Sequence, residues 1–183
     1  SLYCFTYFTD RDGKYQLKSF AESAFDPLSR TCRFMLTEEA HHMFVGETGL
    51  ARVVKRTLEV MKELGTDDAA RIRAHGAVDL ALVQKYLNFW CSSSLDLFGS
   101  EISSNAAASF ASGMKGRHDE STYADHVLTD VNLKLDTPEG AQDVPMRNAL
   151  NEVMRESYLK DCEIGLKRWN RLIERAGHAY RLT

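Results

Sequence analysis

The segment Phe34–Glu47, FMLTEEAHHMFVGE, places Glu38, Glu39, His41 and His42 within five residues of one another. On an α-helix, residues three apart differ by about 60° around the axis and roughly 4.5 Å along it. A glutamate and a histidine so spaced point the same way and can bind one metal ion. This Glu-x-x-His element occurs twice in each site of the di-iron carboxylate bundles. Two registers are open here, Glu39 with His42 and Glu38 with His41. The ordinary alternative for one such pair is a solvated ion pair on a helix surface. Ionic side chains inside an apolar stretch are costly unless paired or metal-bound.

The elements around the motif choose between the registers. Asp26-Pro27 is a helix start, with Asp26 as cap and Pro27 at the first helical position. Apolar residues then recur at steps of three and four from Leu28 to Met61, and Gly65 closes the helix. Met35, Leu36, Met43 and Phe44 define its expected buried side. Met35, Glu39 and His42 share one stripe of that helix. Glu38 and His41 lie about 100° to one side, as groups expected to support the ligands or face solvent. Glu47 is expected to face solvent or to cap Gly49.

A third ligand should come from the preceding antiparallel helix. Glu39 lies about twelve residues past the turn, roughly 18 Å along a helix. The same distance backwards reaches about residue 14. The nearby acids are Asp10, Asp12 and Glu22. Glu22 is too close to the turn, and Asp12 beside Gly13 has loop character. Asp10 sits among Phe5, Tyr7 and Phe8 and is the expected ligand, with a break at Asp12-Gly13 absorbing the extra residues. A buried acid on one helix, a tight turn and the motif at matching depth together point to a metal.

The rest of the chain reads as helical. After Gly65, Thr66 with Asp67 and Asp68 caps a helix expected to reach Phe98. A short helix is expected over 103–112, an exposed loop over 113–120 (GMKGRHDE), a helix over 121–135, a turn at 137–140 and a last helix from about Pro145 to Arg175. The expected fold class is all-α, built from antiparallel helices with short connections. The 183 residues suffice for one domain, with 44% hydrophobic and 27% charged residues and three prolines. A net charge of −3 argues against nucleic acid as partner. No apolar run reaches the length of a membrane span. Cys4, Cys32, Cys91 and Cys162 show no C-x-x-C pairing and fit reduced thiols of a cytoplasmic protein. The opening SLYCFTYFTD has no initiator Met and no polar cap, as in a piece of a longer protein.

Glu38-Glu39-Ala40-His41-His42 resembles the Asp-Glu-x-Arg-His motif of bacterial multicomponent mono-oxygenases and of the ribonucleotide reductase radical subunit. It departs from that motif at Glu38 and His41. A closer resemblance is to the oxygenase components of benzoyl-CoA 2,3-epoxidases, in their C-terminal portion. It is carried by FTYFTDRDGKYQLKSFAESAFDPLSRTCRFMLTEEAHHMFVGETG and by LDLFGSEISSNAAASFASGMKGR. In that family the second half of the site has an Asp where relatives have a Glu, and Asp10 fits this pattern.

The resemblance implies a ferritin-like bundle. Residues 1–65 would be a helical hairpin with half of a di-iron site, and 66–183 the C-terminal helices packed on it, within one domain whose N-terminal half is missing. It implies two iron ions, with Asp10, Glu39 and His42 as this chain's ligands. It implies a mono-oxygenase that uses O2 to form the 2,3-epoxide of benzoyl-CoA in aerobic benzoate degradation. Electrons would come from NADPH through a separate flavin and iron–sulfur reductase. Phenylacetyl-CoA epoxidases, desaturases and radical subunits are neighbouring possibilities, as is a helical interaction domain without catalysis. Carboxylate and imidazole ligands suit iron. No second Glu-x-x-His exists here: His75, His118, His126 and His178 have no acid three residues earlier. The other three ligands are therefore expected outside the chain. Lys115 and Arg117, in the glycine-flanked loop, are candidates for the CoA phosphates.

Overall fold

A computed structural model describes residues 1–120 and 131–183. The described residues form six α-helices and one two-stranded sheet. In chain order these are α1 (Leu2–Ala21), α2 (Asp26–Leu64), α3 (Ala69–Ala74), α4 (Leu80–Asp96), α5 (Ser104–Ala111), β1 (Asn132–Thr137), β2 (Gly140–Pro145) and α6 (Leu150–Arg175), with a 3-10 turn at Met146–Asn148 before α6. The expected all-α class holds. None of the described helices is long and apolar enough to cross a membrane. The four cysteines are thiols; Cys4, Cys32 and Cys162 are buried and Cys91 is half-buried.

The helix predicted from Asp26 runs to Leu64, and Gly65 leaves it at φ +60. That left-handed backbone suits a residue without Cβ. Three expectations are corrected. First, α1 has no break at Asp12-Gly13; it is one helix of 20 residues, and Asp12 is a buried helical residue. A lone glycine costs a helix only about 1 kcal/mol, which packing readily offsets. Second, the helix expected from Thr66 to Phe98 is two helices. Asp68 caps α3 through the amide of Arg71. Gly76 then turns the chain at φ +74, and Asp79 caps α4 through the amide of Leu82. Third, the described part of the segment expected as a helix over 121–135 is strand from Asn132. Residues 121–130 lie outside the described residues, but Asn132–Thr137 pair antiparallel with Gly140–Pro145. The predicted turn at 137–140 is the tip of this hairpin, whose Leu135 and Val144 are buried with Ala149.

Two compact units can be distinguished. One comprises Ser1–Arg11, His41–Ser94 and Leu159–Thr183. Its buried side chains include Tyr7, Val54, Ile72, Trp169 and Ile173. Its tail is tied back by paired hydrogen bonds between Asn170 and Leu182. The other comprises Asp12–Ala40 and Leu95–Tyr158, with Tyr15, Phe98, Met154 and Tyr158 buried. Its loop 113–120 is not an exposed excursion. Gly116 N donates to Ser19 O, Ser19 Oγ donates to Gly116 O, and Ala24 N donates to Gly113 O. Gly116 and His118 are buried as a result.

α1 and α2 form an antiparallel hairpin joined by residues 22–25. The Tyr3 ring lies against Gly49, the Tyr7 backbone against Gly46, Asp10 beside His42, and Gly13 beside Glu39. Near the turn, Ser29 Oγ and Arg33 donate to the carbonyl of Ala21.

Candidate metal centre

Asp10 on α1 and His42 on α2 are brought together by this hairpin. An Asp10 carboxylate oxygen lies 3.7 Å from His42 Nδ1. The Asp10 side chain is 17% exposed and that of His42 49%. Burial raises the Asp10 carboxyl above its usual range, and His42 partly counters this. A cation placed beside Asp10 would relieve that desolvation cost. Glu39 precedes His42 by one helical turn and is half-buried. A Cβ on Gly13 would sit 3.6 Å from its Oε1, an ordinary contact. Asp10, Glu39 and His42 each offer one ligand atom, and these atoms all lie within 4.8 Å of one another.

The donors fit a transition-metal ion. With bonds of about 2.0–2.2 Å, donors on one ion stand roughly 3 to 4.3 Å apart. The Asp10–His42 separation of 3.7 Å falls in that range, and no separation in the trio is above 4.8 Å. Two carboxylates and one imidazole are also the donor types that iron accepts.

Glu38 and His41 are exposed, and the His41 ring centroid is 6.3 Å from that of His42. The expected buried side of α2 is corrected. Met35 is 42% and Phe44 63% exposed, and Phe34 reaches 70%. Leu36 and Met43 are half-buried. The stripe that carries the motif therefore lies on the surface of the described chain. Sequence periodicity marks which side of a helix is apolar, but not what covers it. Glu22, set aside as a ligand, is 3.8 Å from Arg33 in an ion pair.

Lys115 and Arg117 do not point freely into solvent. Lys115 Nζ donates to Gln16 at 3.0 Å and lies over the Phe20 ring. Gln16 in turn approaches Asp12. Burial lowers the Lys115 ammonium pKa and pushes the Asp12 carboxyl up to about 6. Arg117 is held beside Glu120 and Met146. Glu47 was expected at the solvent or capping Gly49. It is half-buried instead, bound by Arg168 at 2.6 Å, with its carbonyl accepting from Trp169 Nε1.

Sequence reasoning named Tyr7 only as an apolar neighbour of Asp10 and missed Arg11 beside it. The Tyr7 hydroxyl donates to Cys162 O at 2.9 Å and accepts from Gly165 N at 3.1 Å. Burial pushes its phenol pKa up. Arg11 is 5% exposed and stacks over the Tyr7 ring. The i, i+4 spacing of an aromatic and an arginine was the available signal.

No protein-family model matches the chain. Similarity to a known protein nevertheless extends from end to end. The chain resembles benzoyl-CoA oxygenase component B of Aromatoleum evansii. The two are 53% identical over 188 aligned positions, which take in all of this chain and 40% of that protein. The chain thus spans less than half the length of its curated relative. The resemblance seen in the motif-bearing stretches holds along the whole sequence, and the word component in the relative's name speaks of an oxygenase that works with other polypeptides.

Proposed function

We propose that this chain supplies half of the iron-binding site of a di-iron mono-oxygenase acting on benzoyl-CoA. The observation that carries this reading is the convergence of Asp10, Glu39 and His42, the three side chains singled out by spacing, within 4.8 Å. The similarity to benzoyl-CoA oxygenase component B supports the substrate and the oxygenase class. On this reading the reaction is 2,3-epoxidation of the ring, with electrons from NADPH delivered by a separate flavin and iron–sulfur reductase in the cytoplasm. The three remaining ligands, a second Glu-x-x-His and another Glu, come from protein outside this chain in a ferritin-like bundle.

The iron centre, when bound, supplies the reduction of O2. The chain's own residues hold and neutralise it. Asp10 and Glu39 contribute two negative charges from facing helices, and His42 a neutral donor nitrogen. Met35 shares the motif's stripe on α2, and Phe34 stands about 80° around the helix from His42. Once covered, they keep water from the reacting atoms. Glu38 and His41 stand beside the ligands on the same helix, where hydrogen bonds to them can orient a ligand. Lys115 and Arg117 are the basic groups offered to the CoA phosphates, which requires them to exchange Gln16 and Glu120 for the substrate.

The test is iron per polypeptide in the natural-length protein, beside Asp10→Ala, Glu39→Ala and His42→Ala. About two irons in the parent, falling sharply in each variant, is the expected result. Variants that retain the parent's iron would end the oxygenase reading.

A further inference from the structure

A buried arginine needs partners, because an uncompensated charge in a protein interior is expensive. Arg11 is 5% exposed and follows Asp10 directly. Its guanidinium carbon lies 4.1 Å from the centroid of the Tyr7 ring. Its Nη1 donates to the Asp161 carbonyl at 2.9 Å and is 4.0 Å from the Asp161 carboxylate. One turn away, the Tyr7 hydroxyl bonds to Cys162 O and Gly165 N. The phenol reaches this place because residue 165 is glycine; a Cβ there would lie 2.3 Å from the oxygen. Two residues one turn apart on α1, Tyr7 and Arg11, are thus both seated on α6.

We propose that Arg11 is a positioning residue for the metal centre, holding α1 on α6 so that the Asp10 carboxylate stays beside His42. This rests on the metal reading given above. Asp10 lies about 60° around α1 from Tyr7 and about 100° from Arg11. A helix anchored at two points one turn apart can neither roll nor slide. A roll of about 20° at a side-chain radius of about 6 Å would move the carboxylate by about 2 Å. Sites of this kind tolerate about 0.5 Å. The clamp therefore decides whether Asp10 is a ligand.

The experiment is an anaerobic Fe2+ titration of the natural-length protein, run with a thermal midpoint for every variant. Arg11→Met keeps the bulk and removes the buried charge, and the Asp161 carboxylate it leaves is 22% exposed, so the fold is expected to survive. Its Fe2+ affinity is expected to drop about tenfold or more, as for other groups that orient ligands. Arg11→Lys should recover part of the loss, since it keeps the charge without the planar fork. A merely structural arginine gives the opposite pattern: a lower midpoint with Fe2+ affinity of the folded protein unchanged. That pattern overturns the proposal. If Arg11→Met does not fold, Tyr7→Phe removes the second anchor's hydrogen bonds and keeps the ring. Parent-like Fe2+ affinity in folded Tyr7→Phe then overturns it as well. Asp10→Asn separates the two readings. Iron affinity lost in Asp10→Asn but kept in Arg11→Met sinks the clamp alone. Affinity kept in Asp10→Asn sinks the metal centre, and the clamp with it.

Discussion

The backbone of Tyr7 occupies the space that a side chain on Gly46 would need. A Cβ at position 46 would lie 2.6 Å from Tyr7 N and 2.8 Å from its Cα. Backbone cannot step aside as a side-chain tip can, so this contact sets how closely α1 approaches α2. Asp10 and His42 are one turn along the same antiparallel pair. Gly46→Ala is therefore expected to cost about 1–3 kcal/mol through overpacking, and to lower bound iron. Gly13→Ala is the contrasting case. Its Cβ would meet Glu39 at 3.6 Å, an ordinary contact. Helix propensity then favours alanine by about 1 kcal/mol. Denaturant midpoints of the two variants check both, and a stable Gly46→Ala would show that the interhelix spacing is not set there.

The exposed aromatic residues of α2 carry a second expectation. Phe34 and Phe44 are 70% and 63% exposed in this chain. If the missing ligands arrive on the side of α2 that carries the motif, the Phe34 ring, about 80° around the helix from His42, becomes buried in the natural-length protein. Phe34→Ser should then destabilise the natural-length protein by about 1.5–3 kcal/mol, and leave the 183-residue chain nearly unaffected. Equal effects in both forms would place the covering segment elsewhere.

Stability should depend on pH through His118. It is buried against Tyr15, with Nε2 near Ser157 Oγ at 3.2 Å and Asp119 at 3.0 Å. Burial lowers its imidazole pKa, helped by Lys18, Arg117 and Lys14 and opposed by Asp119. The unfolded chain, with imidazole near about 6.5, then takes up the proton first as pH falls. The folded state loses stability from about 6.5 downward, and the loss levels off below the folded pKa. His118→Gln should flatten the urea midpoint across that window. A slope identical to the parent's would assign the pH dependence to other groups.

Lys115 and Arg117 give a kinetic prediction. Alanine at both positions should raise KM for benzoyl-CoA if these side chains leave Gln16 and Glu120 to meet phosphate. Lys115 also ties its loop to α1, so the thermal midpoint must be followed alongside. An unchanged KM with a lower midpoint would make both residues structural.

Much of this was legible in the sequence. The run from Asp26-Pro27 to Gly65 announced α2, because Pro at a helix start, apolar steps of three and four, and a terminal glycine are local devices. The choice of Glu39 with His42 over Glu38 with His41 followed from which residues share a stripe. Equal distances on either side of the turn pointed to about residue 14; Asp10 stood out among the nearby acids for its apolar neighbours, with a break at Asp12-Gly13 that α1 does not have. These are properties of one or two helices and need no knowledge of what packs on them. Long-range partners lie beyond that reach. The unbroken path of α1 through Asp12-Gly13, the exposure of Phe34 and Phe44, the inward turn of Lys115, and the Arg11–Tyr7 clamp on α6 depend on residues about a hundred or more positions away or on which face finds a cover. Sequence by itself therefore determined the all-α class and the extent of α2, and offered Asp10, Glu39 and His42 as candidate donors. The tertiary structure decided how near Asp10 comes to His42, because that distance is set by side-chain and backbone contacts at Gly46, Gly165 and Asp161 that no local pattern encodes.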